Sequence, residues 1–106
     1  MIVVGISTFA SEEDAEQVVE ILVKESLIAC GTILPQAKSI YRWEGKLEKE
    51  NEVMVLMKTL EHHLPALQKR LHELHKYEVP EFMAFEVCQV SERYADWLKA
   101  MCSGSF

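Results

Sequence analysis

The sequence lacks any hydrophobic run long enough to cross a membrane. Its longest apolar stretch covers residues 53–57, far short of the roughly 20 residues that a transmembrane helix needs, so we expect no membrane partner. Positive charge is also scarce, because 11 Lys and Arg residues face 17 Asp and Glu residues and the net charge is -6. An acidic chain without a basic block repels phosphate backbones, so nucleic acid is not an expected partner either.

Cysteine, glycine and proline are sparse as well. The three cysteines, Cys30, Cys88 and Cys102, are odd in number and far apart, and no secretory signal opens the chain. Reduced thiols in a cytoplasmic protein are the expected state. With 106 residues, 49% of them hydrophobic, and only 4 Gly and 3 Pro, the chain predicts a single domain over residues 1–106.

Periodicity along the chain predicts an α+β fold. Alternating β-branched segments indicate strands, whereas apolar residues at helical spacing indicate helices. The first predicted helix begins at Ser11 and ends near residue 27. Pro35 is expected to stop the second strand, and Glu44-Gly45-Lys46 marks the turn of a long hairpin. The predicted strands cover residues 2–8, 29–34, 39–43, 47–59 and 82–89, and the predicted helices cover 11–27, 60–75 and a short segment after Ser91.

The resulting order β, α, β-hairpin, α, β, α is that of a ferredoxin-like βαββαβ sandwich with a short C-terminal helix. In such a two-layer fold the open face of the sheet is normally polar. Here the segments 2–6, 53–57 and 82–88 are apolar on both faces. A second apolar face would leave an exposed patch larger than monomers tolerate, so we expect the chain to self-associate through its sheets.

Few residues stand out as chemistry-bearing. The first loop has no Cys-x-x-Cys pair, no glycine-rich loop could hold a phosphate, and no arrangement of Ser, His and Asp supports a nucleophilic enzyme. His72 and His75 have a spacing that suits two metal ligands, although solvent-exposed histidines at a helix end are the favoured interpretation. Cys30 is interpreted as a small core residue.

The loop Tyr77-Glu78-Val79-Pro80-Glu81 gathers a phenol and two carboxylates before a strand. Such loops are common at binding sites, and a solvated loop is the alternative. Tyr41 and Trp43 alternate on one strand face, where they either pack in the hairpin or stack on a ligand. Lys58 either reaches solvent, pairs with Glu78 or Glu81, or binds an anion.

Several segments, in this order and spacing, resemble those of the CutA divalent-ion tolerance family along nearly the whole chain. They are Leu27-Ile28-Ala29-Cys30 with Ile33 and Pro35, Ser39-Ile40-Tyr41-Arg42-Trp43-Glu44-Gly45-Lys46, Glu52-Val53 to Lys58-Thr59, His75-Lys76-Tyr77-Glu78-Val79-Pro80-Glu81, and Tyr94 with Trp97-Leu98. The resemblance implies a ferredoxin-like subunit in a tight homotrimer, a bacterial cytoplasmic location and a role in tolerance to copper and other divalent ions.

The resemblance also implies where ligands would bind. The trimer of this family is similar to that of the PII regulatory proteins, which hold small effectors in clefts between subunits. Carried over to this chain, the residues common to the family would gather in such a cleft, and they are Cys30, Tyr41, Trp43, Lys58, His75, Tyr77, Glu78, Glu81 and Trp97.

Three departures limit the metal site that the family implies. Members credited with copper binding have a cysteine where this chain has Ser7, a second histidine where it has Leu74, and a proline where it has Lys76. A hydroxyl is a poor ligand for Cu(I). We therefore expect no required cofactor, and only weak binding of Cu(II) or Zn(II) through His75.

Three functions and one purely structural role follow from this reasoning. The first is a trimeric metal-tolerance protein that binds divalent ions weakly near an intersubunit cleft. The second is a PII-like regulatory trimer that binds a small anionic ligand through Lys58 and Tyr77. An enzyme with Glu78 or Glu81 as a general base is the least favoured, and we expect no enzymatic activity. In the structural role, the same residues only hold the trimer together.

Overall fold

A computed structural model describes all residues from 1 to 106. It contains one antiparallel sheet of four strands in the order β2-β3-β1-β4, together with three helices. The elements are β1 (Ile2–Phe9), α1 (Glu12–Lys24), β2 (Cys30–Trp43), β3 (Lys46–Leu60), a 3-10 turn (Glu61–His63), α2 (Leu64–Leu74), β4 (Met83–Glu86) and α3 (Glu92–Cys102). The predicted α+β architecture is confirmed. The longest helix has 13 residues, and no helix combines the length and apolar character needed to cross a bilayer.

The hydrophobic core lies between α1, α2 and the inner face of the sheet. The inner positions of β1 and β3 alternate with outer ones, as the pleat of a strand requires. The core cluster consists of Phe9, Ala15, Val18, Val19, Leu22, Ile28, Val53, Val55, Met57, Leu67 and Leu71. Ala29, Leu98 and Cys102 form a smaller cluster that packs α3 against the end of the sheet.

Helix α1 begins where its sequence signal predicts. The Ser11 hydroxyl accepts a hydrogen bond from the backbone N–H of Asp14 at 3.1 Å, which satisfies one of the free donors of the first turn. The helix ends at Lys24 rather than near residue 27. The reason is Ser26, whose φ of +59° is left-handed and cannot continue a right-handed helix.

The expectation that Pro35 stops the second strand is wrong. Strand β2 continues to Trp43 because a bulge between Leu34 and Ala37 accommodates the proline, and Gln36 within it has a φ of +65°. β2 is an edge strand, so the N–H that proline lacks is not needed by a second neighbour.

The hairpin is confirmed, and it is unusually long. Trp43 pairs with Lys46, and the two residues between them, Glu44 and Gly45, have φ values of +51° and +79°, which is typical of a type I′ turn. Pairing between β1 and β3 stops at Phe9 and Val53. Residues 37–43 and 46–52 therefore leave the sheet as a two-stranded ribbon, and the chain measures 45 × 26 × 23 Å.

Two other predicted elements, α2 and β4, are shorter in the structure than expected. Helix α2 begins at Leu64, not residue 60, because a 3-10 turn precedes it. Strand β4 ends at Glu86, whose partner is Val3, and one further hydrogen bond joins Val87 to Ile2. Since β1 starts at Ile2, the chain beyond Val87 has no strand left to pair with.

The sheet has a second apolar face, on the side away from α1 and α2. Val4 and Ile6 of β1 pair with Phe85 and Met83 of β4, so these four side chains point the same way. Met83 is 58% exposed and Phe85 is 51% exposed. The prediction that the sheet has a second apolar face is confirmed.

Candidate functional site

An open cleft lies where the base of the ribbon meets the loop that precedes β4. Its volume is about 760 Å³. The lining combines three aromatic side chains with four carboxylates, and it includes no Lys or Arg: the charged and aromatic lining residues are Tyr41, Trp43, Tyr77, Glu50, Glu52, Glu78 and Glu81. The cleft is therefore a strongly acidic site with aromatic walls.

The bulge in β2 determines which side chains face this cleft. Upstream of it, Leu34 pairs with Met54, and downstream Ala37 pairs with Glu52, so β2 advances three residues while β3 advances two. The one extra residue moves every later side chain of β2 to the opposite face of the strand. Tyr41 and Trp43 consequently share the outer face with Glu50 and Glu52.

The most buried carboxylate of the cleft is Glu52. It keeps only 7% of its surface exposed, and its Oε2 accepts a hydrogen bond of 2.8 Å from the Tyr77 hydroxyl. This is its only side-chain hydrogen bond, and no Lys, Arg or His pairs with it. Burying a carboxylate without a nearby cation costs free energy. Glu52 is therefore the cleft residue that a bound cation would stabilise most.

The field of these carboxylates acts on both phenols. Burial, followed by the hydrogen bond and charge of Glu52, raises the pKa of Tyr77 far above its usual value. Burial, followed by the charges of Glu50, Glu52 and Glu48, raises the pKa of Tyr41. Both phenols stay protonated at neutral pH, which makes them hydrogen-bond donors and neutral aromatic surfaces.

His75 lies behind the cleft and holds its loop in place. Its Nδ1 accepts a hydrogen bond of 3.1 Å from the Tyr77 backbone N–H, and its Nε2 lies 2.7 Å from the Thr8 carbonyl oxygen. Because a carbonyl only accepts, Nε2 carries the proton and donates. The ring stacks on Phe9 with centroids 4.4 Å apart. Both nitrogens are occupied, so a metal ligand at His75 would have to break one of these bonds.

The neutral state of the His75 ring agrees with its role in holding the loop. Burial lowers its pKa, against smaller opposing contributions from the Thr8 carbonyl, Asp14 and Glu52. The next residue, Lys76, forms an ion pair of 2.7 Å with Asp14 of α1. Together these contacts tie the loop to β1 and α1 and thereby aim Tyr77 at Glu52.

Cys30 and Lys58 do not reach the cleft within one chain. They pair with each other at the opposite end of the ladder between β2 and β3, and the six residue steps from Glu52 to Lys58 span about 20 Å of strand. Lys58 Nζ donates to Cys30 Sγ at 3.5 Å and to the Thr32 hydroxyl. Pairing of Lys58 with Glu78 or Glu81, one of the three alternatives for this residue, does not occur within the chain.

Trp97 is also remote from the cleft. It lies on α3, where its ring is 5.5 Å from that of Tyr94. Ser7 is fully buried, on the inner side of β1, so the position at which some family members have a cysteine faces the core here. Of the nine expected residues, the chain by itself brings five into the cleft, and they are Tyr41, Trp43, Tyr77, Glu78 and Glu81.

Sequence reasoning missed Glu50 and Glu52 as cleft residues. Their signal was present, because Glu48, Glu50 and Glu52 alternate and must share one strand face. Counting back from the turn at Glu44-Gly45 places Glu50 opposite Ser39 and Glu52 opposite Ala37, on the same face as Tyr41.

The cleft carboxylates are spread out rather than convergent. No group of three or more His, Cys, Asp and Glu side chains in the chain is arranged to hold a metal ion. Divalent ions bound by this chain alone would keep most of their water and contact one or two carboxylates.

Comparison with known proteins gives a consistent answer. The family model of the CutA1 divalent ion tolerance protein matches residues 3–101. The divalent-cation tolerance protein CutA of Thermus thermophilus is 41% identical over 92 residues, which is 87% of this chain and 89% of that protein. The CutA of Pyrococcus horikoshii is 44% identical over the same shares of the two chains.

Solved structures agree. The Thermus thermophilus protein superposes with a TM-score of 0.89 over 92% of this chain and 95% of that one, at 41% identity. A CutA from Archaeoglobus fulgidus, described as periplasmic, gives a TM-score of 0.93 at 27% identity over 96% and 99% of the two chains. With the family model and both relatives in agreement along nearly its whole length, this chain belongs to the CutA1 divalent ion tolerance family.

Proposed function

We propose that this protein supports divalent-cation tolerance by binding divalent ions weakly and reversibly in its acidic cleft. The observation that carries the proposal is the lining: four carboxylates, one of them buried without a cation, and no Lys or Arg. Such a site concentrates cations near the protein surface by electrostatic attraction.

The ligand atoms set the preference among ions. Carboxylate and phenol oxygens are hard ligands that suit Mg²⁺, Mn²⁺ and Ca²⁺, whereas Cu(I) prefers sulfur. The candidate thiol, Cys30, lies at the other end of β2 and is engaged by Lys58. Cu(II) and Zn(II) would bind through the carboxylates, with His75 holding the loop rather than donating to the metal.

The anionic-ligand alternative loses its support. Lys58, its expected contact, is about 20 Å along the strand from Glu52, and the Tyr77 hydroxyl is already donated to that carboxylate. A negatively charged effector in this cleft would face four carboxylates. An enzyme with a base at Glu78 or Glu81 is no better supported, because Tyr77 is bonded to Glu52 instead.

We also propose a homotrimer assembled through the outer face of the sheet. The exposed Met83 and Phe85 on β4 and the unpaired edge of the ribbon are surfaces that a partner chain would cover. Light scattering at micromolar concentration tests this, with a mass of three times 12.2 kDa expected. A mass of one chain would refute it.

A cytoplasmic location is the third part of the proposal. All three cysteines are free, and Cys88 is exposed, which suits a reducing compartment. Fractionation of cells that produce the protein should recover it with cytoplasmic markers, and recovery in the periplasm would refute this part.

Calorimetric titration of the metal-free protein with Mn²⁺, Zn²⁺ and Cu²⁺ tests the ion-binding proposal. Glu52→Gln removes the buried charge but keeps an acceptor for Tyr77, so it should weaken binding. Glu20→Gln removes the same charge from the exposed face of α1 and should leave binding unchanged. Equal effects of the two substitutions would show that only the net charge matters and would refute a site in the cleft.

A further inference from the structure

The loop between α2 and β4 has no backbone support of its own. No backbone–backbone hydrogen bond of the chain involves residues 76–82, either as donor or as acceptor. Phe82 packs against the core where the loop ends, but a cavity of about 30 Å³ remains between the loop and α1. Neither regular hydrogen bonding nor close packing on α1 therefore fixes residues 76–81.

Three consecutive side chains attach the loop instead, each to a different element. These contacts join His75 to the Thr8 carbonyl oxygen of β1, Lys76 to Asp14 of α1, and Tyr77 to Glu52 of β3. Residues 78–81 add no side-chain hydrogen bond or ion pair within the chain. The position of the loop therefore depends on these three contacts.

Only the contact of Lys76 is open to dissolved ions. The Lys76 side chain is 73% exposed and its partner carboxylate on Asp14 lies 2.7 Å away, whereas Glu52 is buried. Helix α1 packs on the inner face of the sheet, so this ion pair lies on the side away from the outer face that we propose partner chains cover. Exposed ion pairs weaken as salt rises, and contacts of buried groups respond much less.

The exposed contact is coupled to the other two through the backbone. Lys76 is next to both His75 and Tyr77, and the Tyr77 backbone N–H donates to His75 Nδ1 at 3.1 Å. If residue 76 moves away from α1, the Tyr77 amide moves relative to the His75 ring and this hydrogen bond lengthens. The same movement carries the Tyr77 hydroxyl away from Glu52.

We propose that Lys76 and Asp14 form an ionic latch that holds residues 76–81 against α1 and is released by rising ionic strength. With the latch closed, the Tyr77 hydroxyl is bonded to Glu52. With the latch open, Glu52 loses its only side-chain hydrogen bond. The latch thus lets the salt concentration on the helix side of the sheet change the wall of the cleft. The inference does not depend on ion binding in the cleft, because a monovalent salt is sufficient to open the latch.

Hydrogen exchange of the Tyr77 backbone amide, followed by NMR on the assembled protein without divalent ions, measures the latch. This amide donates to His75 Nδ1, so its protection reports the closed loop. Its exchange, corrected for the intrinsic rate, should accelerate about two- to fivefold between about 20 mM and about 500 mM NaCl, because screening weakens the ion pair. Lys76→Met should accelerate exchange by a similar factor at low salt and should abolish the salt response.

Two control variants separate the latch from general loosening. Lys76→Arg keeps the charge and should retain both the slow exchange and the salt response. Arg70→Met breaks another ion pair of α2, the one with Glu25 just after α1, and should leave the exchange of the Tyr77 amide unchanged.

Three results would overturn the latch. Exchange of the Tyr77 amide that is equally slow at low salt in the wild type and in Lys76→Met would show that the ion pair holds nothing. A salt response that survives in Lys76→Met would assign that response to other charges. Acceleration by Arg70→Met as large as that by Lys76→Met would show that any loosening of α2 frees the loop.

Discussion

Replacing Tyr77 by Phe removes one hydroxyl from the centre of the cleft. That hydroxyl donates the only side-chain hydrogen bond of Glu52, at 2.8 Å, and Glu52 is 7% exposed. The aromatic ring, 4.7 Å from that of His75, is retained. The substitution therefore isolates the cost of leaving a buried carboxylate without a donor.

The expected cost is about 1.5–3 kcal/mol of unfolding free energy, which is typical of a hydrogen bond to a charged group. Urea unfolding followed by circular dichroism, at one fixed protein concentration because assembly contributes to stability, measures it. Tyr94→Phe is the matched control, because the Tyr94 hydroxyl makes no hydrogen bond and the residue is 40% exposed. It should change stability by less than about 0.5 kcal/mol.

A double-mutant cycle sharpens the test. In the Glu52→Gln background the acceptor is neutral, so Tyr77→Phe should cost only about 0.5–1.5 kcal/mol, as for a neutral hydrogen bond. If Tyr77→Phe costs less than about 0.5 kcal/mol in the wild type, or costs the same in both backgrounds, the reasoning about Glu52 is wrong.

The remaining predictions concern the elements that position the cleft. Because burial lowers the pKa of His75 from 6.5, the unfolded chain takes up the proton first, so the stability of the wild type should fall as pH drops below 6.5; His75→Gln should flatten this part of the pH profile measured by urea midpoints, and an unchanged slope would contradict it. Gly31→Ala places a Cβ 2.7 Å from Val19 Cγ1 and should cost about 1–3 kcal/mol, part of which Val19→Ala should restore; full stability of the single variant would contradict the close packing of α1 on β2. Glu44→Asn should stabilise the hairpin by about 0.5–1 kcal/mol in thermal unfolding, since Glu44 has a φ of +51° and Asn tolerates that region better; a lower melting temperature would contradict the type I′ turn.

Much of the fold could be predicted because its signals are local. The Ser11 cap, the helical spacing of α1 and the turn at Glu44-Gly45 each act within a few residues. The second apolar face of the sheet could also be predicted, because apolar and polar residues do not alternate along β1 and β4. The extension of β2 past Pro35 was not, since it depends on β2 being an edge strand and on a bulge that no local pattern marked.

The candidate site was predictable only in part, for the same reason. Tyr77, Glu78 and Glu81 share one loop, so their proximity follows from sequence. The position of Lys58 depends on the register between β2 and β3, which pairs it with Cys30 and not with the loop. The engagement of His75 depends on the Thr8 carbonyl, a contact between segments 67 residues apart that spacing along the chain does not reveal.

Paramagnetic broadening by Mn²⁺ in NMR spectra tests the acidic cleft most directly, because it locates the bound ion. Substoichiometric Mn²⁺ added to the isotope-labelled protein should first broaden the amide signals of residues 39–52 and 77–81, and the Glu52→Gln variant should lose this effect at the same ion concentration. Broadening centred on His62, His63 and His72 instead, or spread evenly over the acidic surface of α1, would contradict a cation site in the cleft.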